Sequence, residues 1–89
     1  MPTAQVLEDY TRDDVRREVL IWTGRELSTT QFYAWLPYCL IPSPKPVYTK
    51  RDVKKFLFIS TQLQRVRNLA LAKQKLIQRI EQHSEEFDL

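Results

Sequence analysis

The chain has 89 residues and a formal net charge of +3, with a single glycine and a single cysteine, Cys39. One cysteine excludes an internal disulfide framework, and one glycine argues against both a Gly-rich phosphate cradle and a turn-rich β-sandwich. A chain this short buries only about 60–65% of the surface its unfolded form exposes. A single domain, stabilised by a partner chain, is the expectation.

The opening residues, MPTAQVLEDY, lack the basic start and apolar run of a signal peptide. No apolar stretch approaches the roughly 20 residues a membrane-spanning helix needs. A cytoplasmic protein with no membrane partner is therefore expected. The charge is unevenly distributed. Between Ser43 and Ile80 there are ten basic residues and one acid, Asp52, whereas the first 42 residues and the last nine are both net acidic. An excess of this size is the footprint of a polyanion binder, although a solvated lysine-rich helix would also produce it.

In chain order, residues 1–10 read as a flexible N-terminus. TRDDVRREVLIWTG reads as a helix capped by Thr11, with Asp13 and Asp14 at the positive end of its dipole and Gly24 at its close. Val15, Val19 and Trp22 fall on one face. LSTTQFYAWL reads as a shorter second helix. Ser28 and Gln31 fit a capping box, Leu27 and Phe32 fit a hydrophobic staple, and Pro37 stops the helix near Leu36. The two helices form a helix-turn-helix. Pro42, Pro44 and Pro46 then allow at most an edge strand or a clipped loop. From Thr49, with Asp52 as its capping partner, helical pattern runs to Phe87 without Gly or Pro. That length predicts either two helices or an extended coiled-coil arm. Val66, Lys73, Ile80 and Phe87 recur every seven residues, as do Leu69, Leu76 and His83. They read as the a and d positions of a coiled coil, or as side chains folded back onto the domain's own core. The dimerisation set is Leu63, Val66, Leu69, Lys73, Leu76 and Ile80. The core set is Trp22, Phe32, Trp35, Leu36, Tyr48, Phe56, Leu57 and Ile59, with Tyr33 and Tyr38 outside.

The order of these elements, with LSTTQFYAWLPYCLIP followed by VYTKRDVKKFLFI, resembles the MerR-type winged-helix regulators and their excisionase-like relatives. The family pattern V-S-x-x-T-L-R-Y-W-E-x-x-G-L-L-P is met at Leu27, Ser28, Phe32, Trp35, Leu40, Ile41 and Pro42. The later pattern Y-T-x-x-D-V-x-x-L-x-x-I is met at Tyr48, Thr49, Asp52, Val53, Phe56 and Ile59. The resemblance covers about residues 11–60. It implies a mainly α, winged-helix-like helix-turn-helix with a trimmed wing, followed by a C-terminal helix over 61–89 that ends in an acidic tail. The family's recognition-helix arginines fall on Thr30 and Tyr33, its wing arginine on Pro46 and its usual glycine on Cys39.

If the second helix enters a major groove, Ser28, Thr29, Thr30, Gln31 and Tyr33 are the residues at the groove, with Gln31 able to read adenine. Ser28 and Gln31 compete for the same atoms as helix caps. Arg25, Lys45, Lys50, Arg51, Lys54 and Lys55 are the candidate phosphate contacts. No catalytic constellation or metal set presents itself, because His83 stands alone and Cys39 has no second thiol or nearby histidine in sequence. No cofactor is expected. The sequence thus predicts a small dimeric DNA-binding regulator, nucleoid-associated, that receives any signal through a partner, Cys39 or its own abundance. The alternative is a protein–protein adaptor on the same scaffold, binding an acidic partner with its basic long helix.

Overall fold

The structure is a computed structural model that describes residues 10–83; the expectations for residues 1–9, for the acidic tail and for Phe87 lie outside the described residues. The described residues form four α-helices and no strand: α1 (Arg12–Thr23), α2 (Thr29–Trp35), α3 (Lys50–Val66) and α4 (Leu69–Gln82), with a 3-10 turn at Leu36–Cys39 continuing α2. None of these helices is long and apolar enough to cross a membrane. The fold is mainly α.

Each of the first three helices is started by a reciprocal capping box. Thr11, Ser28 and Thr49 accept from the backbone N–H three residues on, and Asp14, Gln31 and Asp52 return a bond to the cap's own N–H. A cap of this kind is worth about 1 kcal/mol. Gly24 closes α1 in the left-handed region at φ 77°, where its N–H reaches the Leu20 carbonyl. The tight turn between α1 and α2 is fastened by Arg16, whose Nε donates to the Leu27 carbonyl at 2.8 Å. Pro37 ends α2 as the sequence predicts, and Leu40, at φ 62°, turns the chain out of the 3-10 segment. The loop over 41–49 adds no wing strands. It makes one isolated antiparallel bridge, between Tyr10 and Tyr48.

The core is an aromatic stack between α2 and α3. Phe32 lies face to face with Phe56 at a centroid distance of 4.9 Å, with Trp35 stacked beyond Phe56 at 6.3 Å and Tyr48 edge-on to Phe32 at 5.4 Å. Val15 and Val19 from α1 close one side of this core.

Two sequence expectations are corrected here. Trp22 is not core: it is 70% exposed, beside exposed Leu20 and Ile21, and its indole N–H donates to Glu18. The inward face of α1 runs from Val15 and Val19 to Thr23, about 100° round the helix from Trp22. The Thr23 hydroxyl bonds the Val19 carbonyl and the buried Ser60 hydroxyl at 2.8 Å. A polar pair between α1 and α3 thus lies on the inward face of α1. Leu57, also in the expected core set, is partly buried and packs against the core.

The second correction concerns the extended arm. The run from Thr49 breaks at Arg67, which adopts φ 55°, and restarts at Asn68, whose Oδ1 accepts from the Leu71 N–H. The reversal lays α4 back against α3 and the 3-10 turn. Ala72 and Leu76 are fully buried, and Leu63, Val66, Leu69 and Ile80 pack around them. The a and d stripe assigned to dimerisation therefore turns toward the chain's own core, with Leu76 buried, Leu63, Val66, Leu69 and Ile80 partly buried and Lys73 half-buried at its margin. A small domain gains more by covering its own core than by projecting this stripe. Leu76→Ala should lower unfolding stability by about 2–5 kcal/mol. The same change at exposed Leu71 should stay within about 0.5 kcal/mol. Urea titrations of the two variants check this ordering, which an arm with its stripe outward would not produce.

Candidate nucleic-acid interface

The residues proposed from sequence as DNA contacts divide into those the fold consumes and those it leaves outward. Ser28 and Gln31 belong to the first group. The Gln31 N–H donates to Ser28 Oγ at 3.1 Å, and the Ser28 N–H donates to Gln31 Oε1 at 3.0 Å. Base reading by the Gln31 amide would have to break that cap.

Arg25 and Lys45 are also structural, and they sit at opposite ends of the aromatic stack. The Arg25 guanidinium lies over the Trp35 ring at 5.9 Å, and its Nε is buried without a hydrogen-bond partner. The Lys45 ammonium lies over the Tyr48 ring at 5.7 Å and pairs with the buried Asp52 carboxylate at 2.6 Å. The Lys45 backbone N–H donates to the Tyr48 hydroxyl at 3.2 Å, so one residue clips the proline loop at three points. Cation–ring contacts at this range contribute about 0.5–1 kcal/mol at exposed sites. Removing Lys45 would take the ammonium from the buried Asp52 carboxylate and leave it held by the Thr49 N–H. Lys45→Ala should therefore cost about 1–2 kcal/mol of stability, the lower part of the range for a charged hydrogen bond because Lys45 is partly solvated. Chemical denaturation checks this.

Thr29 and Thr30 remain exposed on the first turn of α2, and Tyr33 stands edge-on to Phe32 with its hydroxyl accepting from Arg12 at 3.3 Å. That hydroxyl, together with Asp13, holds the Arg12 guanidinium pKa above its ordinary value. Arg12 and Arg16 are the residues of this region that sequence reasoning overlooked. Both lie on the helix before the turn, and nothing in local spacing points them at α2. The surroundings of α2 are electrically mixed: one hollow beside the turn is lined by Asp13, Arg16, Arg17, Leu20, Glu26 and Leu27.

The first two turns of α3 are different. Lys50, Arg51, Lys54 and Lys55 bring four cations, and the one acid among them, Asp52, is buried against Lys45. Lys55 is half-buried, and desolvation lowers its pKa. Among these, Arg51 is the most open to solvent by class; Lys50 and Lys54 are half-buried. The Phe32–Phe56 stack sets α2 beside α3, and Phe56 lies six residues into α3, about 9 Å from its start.

Cys39, where the family pattern has glycine, lies in the 3-10 turn and is fully buried. The left-handed residue is the next one, Leu40. Burial pushes the Cys39 thiol far above its usual value, which removes the thiolate a redox signal requires. Folded protein should react with iodoacetamide at pH 8 at least about a hundredfold more slowly than protein in urea. Mass spectrometry of quenched samples measures the ratio. Among the described residues no group of His, Cys, Asp and Glu is placed to hold a metal ion.

Comparison of the chain with protein-family models, with curated proteins and with solved structures gives no match.

Proposed function

We propose that this protein binds duplex DNA as a small helix-turn-helix regulator of MerR-like type, held mainly by phosphate attraction. The observation that carries the reading is the run of cations that opens α3, the helix on which α2 is seated through the Phe32–Phe56 stack. α2 carries Thr29, Thr30 and Tyr33 exposed, and α3 opens with Lys50 and Arg51. Phosphate contacts fix register and base contacts confer specificity. Because Gln31, Ser28, Arg25 and Lys45 serve the fold, few side chains are left to read bases. Binding is therefore strongly salt-dependent and only modestly selective.

Anisotropy titrations with a random duplex give the test. Dissociation constants of about 10⁻⁴–10⁻⁶ M at physiological salt are expected. Lys50→Glu with Arg51→Glu should weaken binding at least tenfold and flatten the salt slope by about two contacts. Thr30→Ala should alter selectivity while leaving random-duplex affinity nearly unchanged. Absence of binding at low salt by a folded protein overturns the reading.

The mixed charge around α2 favours the second reading, a protein-binding adaptor for an acidic partner. That reading predicts no DNA affinity beyond what a scrambled basic peptide of equal charge shows.

A further inference from the structure

The turn at Arg67 and Asn68 creates a surface that a continuous helix would lack. Where α3 and α4 lie against each other, two hollows of about 460 and 410 Å³ open along the side of α3 turned away from Phe56. Phe58, Gln62, Arg65 and Arg79 line both, so the hollows form one groove. Lys54 stands at one end and Lys75 along the α4 wall. No acid lines either hollow. Arg65 and Lys75 have no acidic partner among the described residues. Half-buried Phe58 and Val66 supply apolar surface within this polar lining.

We propose that this groove is a docking site for a partner protein, taking an acidic segment that carries a large apolar side chain. Charge complementarity selects acidic side chains at the rim, since Arg65 and Lys75 face the groove and no acid lines it. The apolar surface selects the anchor, because a purely ionic ligand would leave Phe58 and Val66 half-exposed and gain nothing from them. Packed helices are about 8–10 Å apart, so the furrow between them admits one peptide chain and excludes a duplex. Glutamine amides at Gln62, Gln78 and Gln82 can bond the peptide backbone in either sense. The groove shares Lys54 with the opening turns of α3 but not Lys50 and Arg51, the residues whose exchange tests the proposed DNA binding.

The probe is a fluorescein-labelled 14-residue peptide, rich in glutamate, with Phe and Leu on one helical face. Controls are the same peptide with Ser at both apolar positions, a lysine version, and a 14-nucleotide single-stranded RNA. The full chain should bind the probe at least tenfold more tightly than any control. Arg65→Glu with Lys75→Glu should remove that preference without changing the melting temperature. Because both side chains are solvent-facing, the double variant is expected to fold, and circular dichroism verifies it. Equal binding of the serine peptide overturns the proposal in favour of unspecific attraction. Tighter binding of RNA overturns it in favour of a nucleic-acid groove. Binding that appears only when Glu85→Lys and Glu86→Lys are introduced assigns the groove to the chain's own acidic segment and also overturns it.

Discussion

The stack of Phe32 on Phe56 is the contact on which the remaining structure depends. A stacked aromatic pair contributes about 0.5–1.5 kcal/mol beyond the area it buries. Its larger consequence is geometric. α2 has only seven residues and cannot hold itself as a helix in water, so its position comes from Phe32 and Trp35 being seated on α3. The turn between α1 and α2, the 3-10 segment and the proline loop are all arranged around that seat. Tyr48 closes the stack from the loop, and the bridge to Tyr10 ties the loop back to the start of α1.

The same stack explains why a basic sequence does not become a uniformly basic surface. Arg25 and Lys45 are drawn onto the faces of Trp35 and Tyr48, and Lys45 also neutralises Asp52, whose carboxylate caps α3. These cations stabilise a core that is otherwise too small. Around α1, Arg16 and Arg17 pair with Asp13 and Asp14, which leaves that helix nearly balanced. The largest excess of basic over acidic residues lies on α3 and α4. Two surfaces result: the opening turns of α3 beside α2, and the groove between α3 and α4.

The helix starts were legible in the sequence because a capping box is a local signal, in which two side chains and two N–H groups lie within four residues. Ser28–Gln31 and Thr49–Asp52 illustrate this, and so does the stop imposed by Pro37. The restart at Asn68 carried a weaker signal of the same kind, an Asn before the apolar run Leu69–Ala72. It was masked by the heptad spacing of Val66, Leu69 and Leu76. Heptad spacing marks a helical stripe without saying whether the cover is a second chain or the same one. Trp22 failed for a related reason: spacing from Val15 and Val19 gives a face to within about a residue, and the Thr23–Ser60 hydrogen bond decided the rotation.

The sequence by itself determined the mainly helical class, the starts of the first three helices, the aromatic core and the basic middle segment. Those features follow from short-range chemistry and composition. Only the tertiary structure decided that the long helical run folds back on itself, that Arg25 and Lys45 serve the core, and that Trp22 faces solvent. Each of those depends on which distant side chain arrives opposite: Trp35 across from Arg25, Asp52 across from Lys45, Ser60 across from Thr23. Spacing along the chain carries no record of such meetings, because they arise when four short helices compete to cover one small core.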